Sequence, residues 1–307
     1  MSALRLPWWA EGPAIGLGTV LLDIPYDILG VKLLWWTWHD TDPNIFDRSY
    51  YVPWTSYYFH AAFACSFNWM LKLARRFLVT EEYDWKRFPR EFACALFAAL
   101  SAFWVGAAQF VPVYHVFHDF FAVSSECCTL AFLGLYAFLV WIADRHQKRR
   151  DARPHPEVTR YWWDELSVAV LVHYLFFASL SILGEPDSTE SVGLHEPIGA
   201  CDQWVPIQSV SGLTLRRRKY LCPTRYDEKY FDFRCLPERR PPSPTAGGEG
   251  KVEWYRICGT PYENHAEYIF VVCAFCLLGL AVFYQVMARS GDQITDPVKS
   301  EKKKKKE

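Results

Sequence analysis

The sequence has no excess of either charge: 33 Lys and Arg stand against 34 Asp and Glu, a formal net charge of −1 over 307 residues. Bulk charge therefore gives no reason to expect a nucleic-acid partner. There is no H-E-x-x-H helix, and none of the repeated histidine boxes that membrane hydroxylases and desaturases carry. There is no internal repeat. The N-terminus lacks the basic region and small-residue site of a cleavable signal peptide, so none is expected. Segment 114–125 contains no Lys or Arg, and segment 185–265 contains no Asn-x-Ser/Thr sequon, so no N-glycosylation is expected there.

Apolar and aromatic residues are plentiful, at 51% and 17% of the chain, and they are segregated. Six apolar runs, 14–36, 54–73, 92–113, 127–143, 166–183 and 268–288, alternate with dense polar clusters. A helix needs about 20 residues to cross ~30 Å of hydrocarbon, so each run is a candidate span. The expected fold class is all-α: a polytopic bundle of about six transmembrane helices. Lys and Arg gather after the second and fourth runs and in the C-terminal tail, while Arg48 alone follows the first run. That asymmetry predicts cytosolic N and C termini. The long segment 185–265 then falls on the lumenal or extracellular side despite its eleven basic residues, because loops of that length translocate largely regardless of charge. The resulting division is helices 1 to 5 with short loops (1–184), a non-cytosolic cysteine loop (185–265), helix 6 (266–289) and a basic tail (290–307).

Six cysteines lie in or beside apolar runs, where they pack as small hydrophobes. The other four, Cys201, Cys222, Cys235 and Cys258, share the one long loop. An even number in an oxidising compartment predicts two disulfides, and three pairings are open. A zinc site is the alternative, but these four show no C-x2-C spacing. The tail ends KKKKKE, with Lys304 and Lys305 at the positions of a dilysine retrieval signal. That predicts the endoplasmic reticulum; a solvated basic tail at the plasma membrane is the alternative.

Within the first run, Asp23 and Asp27 are four residues apart and so share one helix face. A charge at mid-bilayer costs roughly 2.5–3.5 kcal/mol on insertion scales, so a spanning helix tolerates two carboxylates only against a protein interior. The functional reading is a buried acid pair suited to proton donation or relay; the structural one pairs Asp27 with Lys32 or with a histidine on a neighbouring helix. Pro25 between them frees backbone carbonyls that need partners. His60, Gln109 and His173 lie on three other runs and are candidates to face the acids in a pocket.

A second polar group follows from the topology: His39, Asp40, Asp42 and Asp47 after the first run, and His115, His118 and Asp119 after the third. His39, His115 and His118 are the candidate ligands of a divalent metal, the only cofactor the sequence raises. Asp40, Asp42 and Asp47 also suit turns and helix caps around Asp-Pro-Asn. Trp35 and Trp38 belong to an interfacial belt, and beside the acids they can line a cavity and stabilise a cation.

Residues 7–67, with PWWAEGPAIGLGTVLLDIPYDILG followed by WWTWHDTDPNIFDRSYYVPWTSYYFHAAFACSF, resemble an uncharacterised family of animal multi-pass membrane proteins. More distantly, the order acid, acid-Pro, W-x-W and Y-x-V-P is similar to the second half of the membrane carotenoid-biosynthesis family, which includes polyene hydratases. There Asp23 or Asp27, Trp36 with Trp38, and Tyr51-Val52-Pro53 would fill the places of an Asp, a W-x-W and a G-V-P element. The resemblance implies a membrane fold with a cavity facing a lipid or isoprenoid. In the reaction it implies, Asp23 or Asp27 protonates an alkene, Trp35 or Trp38 holds the cation, and His39 or Asp40 orients water. Two other readings stay open. One is a metal-dependent lumenal hydrolase. The other is a non-enzymatic scaffold or receptor whose 185–265 loop binds a protein partner.

Overall fold

The computed structural model describes residues 6–38, 42–79, 87–147, 165–222, 224–225, 228–236 and 254–286. His39, Asp40, Lys304 and Lys305 lie outside them. Among the described residues six long helices carry the fold: α1 (Trp8–Lys32), α2 (Trp54–Leu78), α3 (Phe88–His115), α4 (Ser125–Gln147), α5 (Glu165–Leu183) and α6 (His265–Tyr284). Five of them, all but α2, are long and apolar enough to cross a membrane. All six are long enough to span, and α2 alone falls short in apolar composition. The 25-residue α2 has the length, but Ser56, His60, Ser66, Asn68, Lys72, Arg75 and Arg76 dilute its apolar surface.

α1 is the hub of the bundle, packing against α2, α4, α5 and α6. Its first half meets α2 through small residues. A Cβ on Gly16 would stand 2.6 Å from the backbone oxygen of Ala61, so the two helices touch backbone to side here, as small-residue seams allow. Gly16→Val should push α2 away and destabilise the bundle by about 1–3 kcal/mol, read as a lower unfolding temperature in detergent.

Pro25 sits inside α1 without breaking it. Its missing N–H leaves the Leu21 carbonyl free, and the Tyr174 hydroxyl of α5 donates to that oxygen at 3.2 Å. His173 supplies Nε2–H to the next carbonyl, Leu22, at 3.0 Å; the carbonyl can only accept, which fixes the donor.

α1 ends at Lys32, where Leu34 turns the chain at φ +57°. The helix begins six residues earlier than the apolar run and stops before the tryptophans. Trp35 and Trp36 therefore leave the helix axis and pack with Tyr26. A two-residue hairpin follows, β1 (Arg48–Ser49) with β2 (Val52–Pro53). Both turn residues have positive φ, Tyr50 at 49° and Tyr51 at 64°. This is the backbone of a type I′ turn, which glycine or asparagine usually occupies. Each tyrosine costs roughly 1–2 kcal/mol there. Their hydroxyls hold the turn: Tyr50 donates to Glu267 and Tyr51 to Glu263, both at 2.6 Å.

The described residues between α5 and α6 are strands and connecting loops, with one short 3-10 turn at Pro186–Ser188, which corrects the all-α expectation. They form a three-stranded antiparallel sheet of β3 (Glu190–Gly193), β7 (Tyr255–Gly259) and β6 (Phe231–Asp232), with β7 central. Beside it lies a hairpin of β4 (Trp204–Gln208) and β5 (Thr214–Arg218). The disulfides pair Cys201 with Cys222 and Cys235 with Cys258. Removing Cys235–Cys258, which closes a separation of 23 residues, should cost about 3 kcal/mol by the chain-entropy account. Equilibrium unfolding of the double Cys→Ser variant tests this. Tyr230, Phe231, Tyr255 and Ile257 join the same apolar core as Ile28, Tyr58 and Tyr114, so the sheet packs directly on the bundle.

Candidate active site

The polar centre of the bundle is built from two helices. The four-residue spacing on α1 puts Asp23 and Asp27 on the face turned to α2, and the same spacing on α2 returns Ser56 and His60 to them. Asp23 is 8% exposed and Asp27 4%. Ser56 Oγ donates to Asp27 Oδ2 at 2.8 Å. His60 Nδ1 stands 3.1 Å from Asp23 Oδ2, but its proton is directed to the Ser56 backbone oxygen at 2.9 Å. Asp23 Oδ2 is therefore buried with no hydrogen-bond donor. One ligand atom from each of Asp23, Asp27 and His60 lies within 4.8 Å of the others. The His60 side chain remains 41% exposed, so the cluster is open on one side.

This arrangement can pass a proton between carboxyl and imidazole, and its three donors can surround a divalent cation. The basic residue closest in sequence, Lys32, does not serve it. Lys32 Nζ is fully buried and donates to Pro261 O at 3.0 Å and to Glu263 Oε1 at 3.3 Å. The rings of Tyr51, Tyr262 and Tyr268 surround it at 5.7–5.8 Å. The alternative pairing of Asp27 with Lys32 is thus not the one formed.

The remaining sequence candidates are dispersed. Gln109 is engaged between helices, donating to Ser66 Oγ at 2.6 Å and accepting from Tyr136 at 2.5 Å. His173 is the carbonyl partner already described. Trp35 packs against Tyr26 and Phe177, at 6.1 and 6.3 Å between rings. Trp38 leads away from the acids. Its backbone N–H reaches Tyr230 Oη at 3.3 Å, and its side chain lines a cavity of about 170 Å³ with His195. Burial pulls the His195 pKa down.

His115 and His118 meet around a carboxylate. A π-helical turn, Val116–Phe120, continues α3 and brings Asp119 beneath both rings. Each Nδ1 is 2.9 Å from a different Asp119 oxygen. Ser209 and Ser211 of the loop each donate to Oδ2 at 2.6 Å. The group fastens the loop to α3, and it is not among the compact three-ligand groups of the described residues. The other such group, Glu190 with Cys235 and Cys258, has its cysteines in a disulfide. Asp42 and Asp47 act as caps: Asp42 accepts from Asn44 N at 2.9 Å and Asp47 from Ser125 N at 2.7 Å.

Ser56 and the two loop serines were not singled out from sequence. Ser56 carries a usable signal, four residues before His60 on one helix. Ser209 and Ser211 carry none, since their partner is 90 or more residues away.

Five helices apolar enough to cross a membrane, joined to a disulfide-held extramembrane sheet, are the make-up of a polytopic α-helical membrane protein. Residues 1–288 match the model of DUF7802, a domain of unknown function, and the chain belongs to that family. No curated protein and no solved structure matches the chain. None of these findings links it to the polyene hydratases.

Proposed function

We propose that this protein is an integral membrane protein of the endoplasmic reticulum, with both termini cytosolic, whose working centre is Asp23, Asp27, His60 and Ser56. The centre transfers a proton to a lipid or isoprenoid substrate that reaches it from the exposed side of His60. The observation that carries this reading is Asp23 Oδ2, without a hydrogen bond in a residue 92% buried, beside a second carboxyl and an imidazole. Such a group is costly to keep in a membrane bundle and is a functional site by default.

Ser56 occupies Asp27 Oδ2, so Asp23 is the donor and Asp27 the neighbour that tunes it. In a hydration, the Asp23 proton forms a C–H bond at one alkene carbon. Water then adds to the resulting cation, and its released proton returns to the carboxylate. Comparative lipid profiling of cells lacking the protein tests this. Rescue of any lipid change by wild type but not by Asp23→Asn is expected. Full rescue by both Asp23→Asn and Asp27→Asn sinks the proposal. For the compartment, Lys304→Ser with Lys305→Ser should redistribute the protein toward the cell surface, read by imaging; unchanged reticular staining would count against retrieval.

A second reading has one observation in its favour. The loop exposes Trp204, Val210 and Trp254, large apolar side chains suited to a protein partner. Loss of a cross-linked partner on Trp204→Ser, with lipid profiles unchanged in the acid variants, would favour it.

A further inference from the structure

We propose that Asp23, Asp27 and His60 bind a divalent transition-metal ion, which takes the place of the protons on these groups. This rests on the reading of the cluster as the working centre and names what regulates it.

The donor set comes first. Two carboxylates and an imidazole approach from two helices, with one ligand atom of each within 4.8 Å of the others. An ion about 2.0–2.2 Å from each donor would draw these side chains together from their present separations. One donor is idle. Asp23 Oδ2 is buried without a hydrogen bond, 3.1 Å from His60 Nδ1, a state that a metal ion, a proton on the carboxyl or an imidazolium relieves.

Charge balance points the same way. Two ionised carboxylates in a membrane bundle need compensation. The basic residue nearest in sequence, Lys32, is committed to Glu263, while His60 supplies at most one charge. A doubly charged ion balances both carboxylates with the imidazole neutral. Ser56 supports the set, because its hydroxyl fixes Asp27 as groups outside the coordination sphere orient metal ligands. The mixed oxygen and nitrogen set suits zinc, cobalt, manganese or ferrous iron over magnesium or calcium. Three protein ligands leave a position open toward the exposed side of His60.

Ligation through His60 Nδ1 requires that nitrogen to give up its contact with the Ser56 carbonyl. An ion bound there would occupy the Asp23 oxygen that the proposed proton donation uses.

The test uses the full chain, purified in mild detergent, stripped with chelator and titrated with Co2+ alone. One Co2+ per chain is expected, with visible d–d absorption and no thiolate charge-transfer band. Asp23→Asn, Asp27→Asn and His60→Gln should each abolish that absorption, and Ser56→Ala should weaken binding about 10-fold. The wild-type titration does not depend on how any variant folds. Wild type without Co2+ absorption overturns the inference, as does a spectrum with thiolate bands or one retained in all three ligand variants. The lipid-profile rescue separates the two readings. Absent metal with Asp23→Asn still failing to rescue removes the ion and leaves the proton donor. Bound metal with full rescue supports the ion and removes the catalytic reading.

Discussion

Arg48→Met should destabilise the protein by about 3–5 kcal/mol, measured by denaturant unfolding in detergent. Arg48 and Glu228 form an ion pair whose side chains are only 9% and 3% exposed. Removing the guanidinium leaves a carboxylate that is only 3% exposed without its charged partner, and its desolvation is then poorly compensated. The arginine also anchors its hairpin locally, since Nε donates to Ile45 O at 2.7 Å. Adding Glu228→Met should recover much of the loss, because replacing both members of a buried pair by apolar groups is often close to neutral. A double variant no more stable than Arg48→Met would place the cost in the hairpin contacts instead of in the stranded charge.

Glu263→Gln should produce the second large effect, and the pair should be asymmetric. Lys32 is fully buried, whereas the Glu263 side chain is 41% exposed. Losing the carboxylate leaves a buried ammonium facing only Pro261 O, Thr260 Oγ1 and three ring faces, at a cost of about 3 kcal/mol. Losing the lysine leaves a carboxylate that water can solvate, so Lys32→Met should cost less.

The pH dependence follows. Burial alone would raise the Glu263 pKa. The hydroxyl of Tyr51, a backbone N–H and Lys32 together outweigh burial and hold it below the ordinary glutamate value of 4.5. A lowered carboxyl pKa stabilises the fold above the unfolded value and loses that contribution as pH falls through the folded one. Wild type should therefore lose stability below about pH 4.5 in a way that Glu263→Gln does not, read from unfolding midpoints against pH. At the alkaline end, the hydrogen bond to Glu267, with burial, pushes Tyr50 up to about 12. Its contribution is full below pH 10 and lost as pH rises toward 12.

Much of the bundle was legible because its signals are local. Apolar runs of spanning length located all six helices, and the i, i+4 spacing put Asp23 and Asp27 on one face. Pro25 announced that carbonyls would need partners, though not that Tyr174 and His173, some 150 residues away, would supply them. Errors fell where composition and packing disagree. The tryptophans after Lys32 extended the apolar run past the true helix end, because an aromatic belt is apolar whether or not it is helical. α2 alone misses the apolar composition of a span, because it carries polar side chains that it turns on its neighbours, Ser56 on Asp27 and Ser66 on Gln109.

The sequence by itself determined the class, a helical chain built for a membrane with an oxidised loop, and the two acids most in need of an explanation. These follow from hydropathy, charge and spacing, which act over a few residues. Tertiary structure decided which polar groups meet. It gave His60 and Ser56 to the acids, sent Lys32 to Glu263 231 positions later, and gathered His115 and His118 onto Asp119. Many histidines and acids were compatible with one membrane face. Only the packing of α1 against α2, at side-chain resolution, removes water from one set and leaves an oxygen without a donor.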